Sequence, residues 1–208
     1  LQMNWEIFLD QVYDRFYRIG SDDVVIDIGA HVGLFTLKAA RKAKKVIAIE
    51  PHPFNFSLLL KNITFNKLRN VISLNLAISN YNGIIKLYVA RKSGRHTIKS
   101  EKRARYNKEY TECIEVKSKT LDHVAFELKL DKVSFIKIDA EGAEFDILKG
   151  ARNVLEKNNV FLAIATEHTE LSRLQCIKML QEMGFTVFSS SNLMYTYAFK
   201  PSSSASTY

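Results

Sequence analysis

Residues that could do chemistry stand at five places where an apolar run ends. They are Asp27 to Gly33, Glu50, the segment Ala77-Ile78-Ser79, Asp139 to Glu141, and Glu167-His168. Carboxylates and a histidine can exchange protons near neutral pH, and a glycine turn before a helix presents backbone N–H groups to a ligand. These residue types indicate a ligand site that carries acid–base groups, provided that the fold brings the five places together.

Each of these places follows a predicted strand. In VVIDIGAHVGLFTLKAA (residues 24–40), a β-branched run ends at Asp27, Gly29 and Gly33 bracket a turn, and helical spacing begins at Leu34. The same criteria predict further strands over 45–49, 71–77, 84–89, 113–116, 133–138, 160–166, 185–188 and 194–199, and helices over 53–66, 120–128, 143–156 and 171–183.

Alternation of helices with apolar strands predicts an α/β fold with a doubly wound, mostly parallel sheet. The last two strands follow each other across a short Ser/Asn turn, which predicts an antiparallel hairpin at one edge. In such sheets, ligands bind outside the carboxyl ends of the strands. The five polar places are therefore expected to face one site.

The length of 208 residues fits one domain. We expect an N-terminal helix over 1–20, a main domain over 21–200 with a basic insertion at 91–110, and a disordered tail at 201–208. Aromatic residues at helical spacing from Trp5 to Tyr17 are interpreted as core packing.

No apolar run approaches the roughly 18 residues that would span a bilayer, and no secretory leader is recognisable. Cys113 and Cys176 form neither a metal nor a redox spacing, which favours a reducing compartment. We therefore predict a cytoplasmic protein without a membrane partner. The net charge of +8 is concentrated in one segment, because residues 91–108 hold eight basic residues and one acidic residue.

Glu50 lies 21 positions after Gly29, near the distance of about 20 at which an acid binds ribose hydroxyls in dinucleotide sites. A dinucleotide fingerprint would also need a glycine at position 31, where this chain has His31. The turn therefore favours a nucleoside ligand without a diphosphate bridge, such as S-adenosylmethionine. Taken alone, Gly29 and Gly33 also fit an ordinary strand–helix turn in which glycines serve only packing.

Several motifs occur in the order found in FkbM-family methyltransferases: VVIDIGAHVGLFT, IAIEPHPFN, LNLAIS, TLDHV, IKIDAEGAEFDILKGA and a strand ending in TEH. The chain resembles that family over roughly residues 21–168. The resemblance implies a seven-stranded, Rossmann-like class I methyltransferase fold and S-adenosylmethionine as cofactor. It also implies a methionine-side loop of Asp27, Gly29, Ala30 and Gly33, ribose binding by Glu50, and Ala77 and Ile78 near the adenine. His31 stands where the family more often has asparagine, so its part in the cofactor loop stays open.

Asp139, Glu141 and His168 are the candidate catalytic residues, and Glu167 is a candidate substrate-binding residue. One interpretation is that Asp139 or His168 takes the proton of an acceptor hydroxyl. The other is a divalent-ion site built from these four residues. We favour proton transfer and expect no metal, because adjacent residues on a strand point to opposite faces. Glu144 is interpreted as an acid that stabilises a helix N-terminus by interacting with the positive end of the helix dipole.

The basic insertion has two interpretations, a solvated loop or a loop that recognises an anionic acceptor through Arg95 and His96. We predict O-methylation of a small molecule or glycan. The alternatives are an RNA methyltransferase, supported by the basic insertion and the net charge, and a nucleoside-binding module without catalysis.

Overall fold

The computed structural model describes residues 12–105, 109–167 and 169–201. The strands are β1 (Val24–Ile28), β2 (Lys45–Ile49), β3 (Val71–Leu74), β4 (Ala77–Ile78), β5 (Gly83–Ala90), β6 (Tyr110–Lys119), β7 (Phe135–Ile138), β8 (Phe161–Ala165), β9 (Thr186–Ser189) and β10 (Tyr195–Phe199). The helices are α1 (Leu34–Ala40), α2 (Pro53–Phe65), α3 (Ser100–Arg105), α4 (Leu121–Glu127), α5 (Glu144–Lys149), α6 (Arg152–Lys157) and α7 (Glu170–Glu182), with a short 3-10 turn at Ser93–Arg95.

The main sheet has seven strands in the order β3-β2-β1-β7-β8-β10-β9. The first five are parallel, and β10 runs antiparallel between β8 and β9, which confirms the predicted edge hairpin. A small second sheet, β4-β6-β5, stands beside it. Four of the parallel strands, β1, β2, β7 and β8, are buried on both faces, which explains their largely apolar sequences.

Alternate residues of these strands face two separate hydrophobic layers. Val25, Phe135 and Phe161 stand in register and pack with α1 and the residues before β1. Ile26, Ile136 and their neighbours face α4 to α7 on the other side. Because β1, β2, β7 and β8 are parallel, their carboxyl ends lie together at one edge of the sheet.

Three elements differ from the sequence prediction. The strand expected over 71–77 is divided, because Asn75 turns its amide to the carbonyl oxygens of Glu50 and Pro51 and the chain passes into the second sheet. The helix expected over 143–156 is two helices that break at Gly150, where a Cβ would lie 2.2 Å from the Ser79 carbonyl oxygen. The insertion contains the 3-10 turn and α3.

The predicted N-terminal helix falls mostly on residues 1–11, which lie outside the described part of the chain, and residues 12–16 form turns. Of the predicted tail over 201–208, only Pro201 is described. Within the described ranges, no helix has the length and apolar character needed to cross a bilayer.

Candidate active site

A cavity of about 600 Å³ opens at the edge of the sheet where β1, β2, β7 and β8 end. One wall is the turn after β1 together with Glu50, and another holds Ala77, Ile78 and Leu87 from the second sheet. The turn after β7 and the start of the insertion complete the enclosure. A volume of this size is typical of a site for a cofactor or a drug-sized ligand.

The turn after β1 has a backbone that needs glycine at two positions. Gly29 and Gly33 have φ angles of +74° and +91°, and a Cβ on Gly29 would lie 1.8 Å from the carbonyl oxygen of Asp139. A Cβ on Gly33 would approach Leu59 to 2.5 Å. Both glycines therefore permit close packing inside the protein. His31 also has a positive φ of 54°, a conformation in which Asn and His are enriched among non-glycine residues.

Glu50 is buried in the cavity wall, and each of its two carboxylate oxygens accepts a hydrogen bond from a backbone N–H group. Its Oε2 accepts the N–H of His31 at 2.9 Å, and its Oε1 accepts the N–H of His52 at 3.0 Å. Burial raises the pKa of this carboxyl from 4.5 to about 7, against the lowering effect of the two N–H donors. A carboxylate has about four lone-pair directions, so acceptor capacity remains for hydroxyl groups of a ligand.

Asp27 lies beneath the turn and does not line the cavity. It is fully buried, accepts the Thr36 hydroxyl at 2.6 Å and forms an ion pair with Lys137 at 3.0 Å. The Lys137 ammonium directs a hydrogen bond of 2.7 Å to the carbonyl oxygen of Gly29. Burial lowers the pKa of Lys137, but the Asp27 and Asp139 carboxylates outweigh it and leave the pKa raised. The pair thus supports the turn from below.

The turn after β7 presents Asp139 and Glu141 to the cavity. Asp139 accepts a hydrogen bond of 2.8 Å from the Tyr13 hydroxyl, and Glu141 has a positive φ of 52°. Glu144 is buried and accepts the N–H groups of Gly142 and Ala140, at 2.9 and 3.3 Å, so its carboxyl caps the turn. Burial raises the pKa of Glu144 to about 7.

The start of the insertion is fixed against this turn. The Thr97 hydroxyl, 1% exposed, donates to the carbonyl oxygen of Glu141 at 2.7 Å, and Lys99 pairs with Asp146. His96 accepts the Ala90 N–H through Nδ1, and its ring centroid lies 4.2 Å from that of His52. Burial and the neighbouring histidines lower the pKa of His96 to about 4, so its ring is neutral near pH 7.

Most of the predicted site residues line this one cavity, and the role of each one stays a prediction. They are Gly29, Ala30, His31, Glu50, Ala77, Ile78, Arg95, His96, Asp139, Glu141 and Glu167. Asp27 and Gly33 lie outside the lining, for the packing reasons given above. His168 lies outside the described residues. Across the described ranges, no group of three or more His, Cys, Asp or Glu side chains could hold a metal ion.

The cavity also contains residues that sequence reasoning missed, among them Tyr13, Lys137 and Tyr195. Tyr13 belongs to an aromatic stripe whose helical spacing predicts only a helix that packs on the core, so nothing in the sequence marks it as a site residue. Lys137 interrupts an apolar strand, and this charge in a buried position was the one available signal.

Comparison with known proteins decides the family. A family model described as the methyltransferase FkbM domain matches residues 27–187. The chain belongs to the FkbM methyltransferase family. The family and the fold make it a methyltransferase domain whose methyl donor is S-adenosylmethionine.

Two named methyltransferases and one solved structure are similar to this FkbM domain. Methyltransferase sdnD of Sordaria araneosa is 30% identical over 214 residues, covering 88% of this chain and 80% of sdnD. Hexuronic acid methyltransferase AglP of Haloferax volcanii is 27% identical over 163 residues, covering 77% of this chain and 62% of AglP. The crystal structure of methyltransferase FkbM from Methylobacillus flagellatus KT superposes with a TM-score of 0.63 at 18% identity, over 88% of this chain and 45% of that one. The FkbM domain therefore spans under two thirds of AglP and under half of the solved structure.

The cavity fits the methyl donor of the family. A buried carboxylate with remaining acceptor capacity, Glu50, stands between the glycine turn and the apolar wall of Ala77, Ile78 and Leu87. Ribose hydroxyls need such an acceptor, and a nucleobase needs an apolar surface. The acceptor and the apolar wall of the cavity thus match the ribose and the adenine of an adenosyl ligand.

Proposed function

We propose that this FkbM domain methylates a hydroxyl group on a small molecule or glycan, and that Asp139 takes the proton. The observation that carries the proposal is the shared cavity of Glu50, the glycine turn, Asp139 and Glu141. Bound S-adenosylmethionine supplies a methyl group made electrophilic by its sulfonium. Asp139 follows β7 at the edge where the parallel strands end. It is the carboxylate placed to accept the hydroxyl proton as the oxygen takes the methyl group.

The residues proposed for the donor divide by their chemistry. Glu50 accepts hydrogen bonds from the ribose hydroxyls, Ala77 and Ile78 provide the apolar surface for the adenine, and the turn from Gly29 to His31 binds the methionine end. Asp27 acts from beneath through Lys137 and the Gly29 carbonyl oxygen. Gly33 shapes the same turn by its packing on Leu59.

The acceptor side points to an anionic substrate. The cations Lys92 and Arg95 line the cavity beside the neutral ring of His96, and Arg95 is only partly neutralised by Glu109 at 3.3 Å, since both side chains are about half exposed. Glu167 lines the same cavity and is proposed to contact the acceptor. The relative AglP is named for hexuronic acid, which combines a carboxylate with hydroxyl groups. We propose a uronic acid glycoside as the acceptor class.

The test measures release of S-adenosylhomocysteine from S-adenosylmethionine with p-nitrophenyl β-D-glucuronide, and with the matching neutral glucoside as control. We expect turnover of the glucuronide above that of the glucoside. Replacing Lys92 and Arg95 together by serine should raise KM for the glucuronide about tenfold, because two charges near the carboxylate are lost. Arg91→Ser, at an exposed position outside the cavity lining, is the matched control and should leave KM unchanged.

The basic insertion also suits RNA, so RNA is assayed as an alternative acceptor. Methylation of RNA that falls steeply with salt, without turnover of the glucuronide, would replace the proposal by an RNA methyltransferase. Binding of S-adenosylmethionine without transfer to either class would favour a module that has lost catalysis.

A further inference from the structure

Tyr13 reaches the cavity from the segment that precedes β1. Its ring is 5% exposed and packs edge-on against Phe35 and Tyr195, with centroids 5.7 and 5.5 Å away. Its hydroxyl donates to Oδ2 of Asp139 at 2.8 Å, across 126 positions of sequence. A residue from the periphery of the fold therefore holds the carboxylate that faces the cavity.

Two other aromatic residues of this segment pack away from the cavity. Tyr17 packs on Phe135 and Phe161 at 5.4 Å from each, and Phe16 packs on Phe188 and Tyr197. Neither Phe16 nor Tyr17 lines the cavity. The Tyr17 hydroxyl hydrogen-bonds Asp23, which is outside the cavity lining, whereas the Tyr13 hydroxyl bonds a carboxylate that lines the cavity.

The charge environment keeps the Tyr13 hydroxyl a donor. Burial and the Asp139 carboxylate raise the pKa of Tyr13 well above 10, so the phenol stays protonated at any pH used for assays. The Lys137 ammonium lies 5.2 Å from the centroid of the Tyr13 ring and pairs with Asp27. With Lys137 committed to Asp27 and to the Gly29 carbonyl oxygen, Tyr13 is the group that orients Asp139.

Asp139 lies next to the part of the cavity that a methyl donor would occupy with its sulfonium. The backbone of Asp139 touches Gly29, in the turn proposed for the methionine end, while Glu50 on the neighbouring strand is proposed for the ribose. In S-adenosylmethionine the sulfonium joins the methionine chain to the ribose. A carboxylate beside the turn attracts this cation and has no such attraction for the neutral thioether of S-adenosylhomocysteine.

We propose that Tyr13 is a positioning residue of the transfer site: its hydroxyl orients the Asp139 carboxylate so that the negative charge faces the sulfonium of the methyl donor. The inference rests on the proposed function, in that it places Asp139 at the site of transfer. It adds a role for the N-terminal segment and predicts that Tyr13 affects the donor and the demethylated product differently.

The test is a double-mutant cycle on binding, measured by calorimetric titration with S-adenosylmethionine and with S-adenosylhomocysteine. The variants are Tyr13→Phe, Asp139→Asn and the double variant, with Tyr17→Phe as a control that removes a hydroxyl from the same segment. We expect Asp139→Asn to weaken binding of the donor about tenfold, the order expected for loss of one charge a few ångströms from a cation in a cleft that water largely screens. Tyr13→Phe should weaken it about threefold, the loss of part of one hydrogen bond to a charged group.

Two results are diagnostic: the ratio of the affinities for S-adenosylmethionine and S-adenosylhomocysteine, and the coupling between the Tyr13→Phe and Asp139→Asn substitutions. Affinity for S-adenosylhomocysteine should change less than twofold in every variant, and Tyr13→Phe should have no further effect once Asp139 is Asn. Equal weakening of both ligands, or a full effect of Tyr13→Phe in the Asp139→Asn background, would show a packing role and overturn the proposal. An unchanged ratio in Asp139→Asn would overturn it too. No acceptor is needed, so failure of the glucuronide assay is a separate result.

Discussion

We expect ionised Glu50 to lower the stability of the ligand-free protein above pH 7, where the same charge is proposed to bind the ribose hydroxyls. Its pKa is raised from 4.5 to about 7 by burial, so its ionisation in the folded state is unfavourable. The stability linked to this carboxyl is present while it is protonated, and it is lost as the pH rises through 7. At pH 8 the difference between the two pKa values corresponds to about 3 kcal/mol.

The perturbation is Glu50→Gln, which removes the charge and keeps the shape. Gln retains one acceptor oxygen, so one of the N–H groups of His31 and His52 loses its partner, at a cost of about 1 kcal/mol. We therefore expect the free energy of unfolding of the ligand-free variant to exceed that of the wild type by about 2 kcal/mol at pH 8. The gain should shrink towards pH 5, where the wild-type carboxyl is protonated in the folded state.

Urea unfolding of both proteins at pH 8 and pH 5, followed by circular dichroism, measures this difference. Comparing the two proteins at each pH removes the contribution of other titrating groups. A variant less stable than the wild type at pH 8, or a difference that is the same at both pH values, would refute the reasoning. In the first case the carboxylate would be a stabilising acceptor and its burial would not govern its pKa.

Three further predictions follow from the same geometry. Binding of S-adenosylmethionine should tighten about tenfold from pH 6 to pH 8 in the wild type, because ribose hydroxyls donate to ionised Glu50, and calorimetry should find no such dependence in Glu50→Gln. Gly29→Ala should prevent the turn from forming, since its Cβ would meet backbone at 1.8 Å, whereas Gly184→Ala, with a φ of +81° but open space, should cost about 1 kcal/mol in thermal unfolding. Lys137→Met should cost about 3–5 kcal/mol in urea unfolding, because it leaves Asp27 charged and buried without its partner, and a smaller loss would show that the pair is dispensable.

The sheet could be predicted from sequence because its strands are buried on both faces. Largely apolar runs such as Val24–Ile28 and Phe161–Ala165 allow few other structures, and the polar residues that follow them mark one edge. The match of the FkbM family model to residues 27–187 confirms the predicted family and cofactor. The roles of the individual site residues stay predictions.

Long-range contacts set the features that the sequence could not show. At the break, Gly150 packs on the backbone of Ser79, 71 positions earlier, with no room for a Cβ, and helical periodicity in the sequence continues across it. Thr97 reaches Glu141 and Tyr13 reaches Asp139 from distant segments, and no spacing rule connects such pairs. The family resemblance implies that Asp27 belongs to the cofactor loop, and in the structure its side chain lies under that loop, paired with Lys137, its partner in register on β7.

Calorimetric titration with S-adenosylmethionine and, separately, with NAD tests most directly whether the cavity at Glu50 is a site for a nucleoside methyl donor. The account predicts that S-adenosylmethionine binds with one-to-one stoichiometry, that Glu50→Gln weakens it by about tenfold or more, and that NAD gives no binding heat. Binding of NAD without binding of S-adenosylmethionine would contradict it.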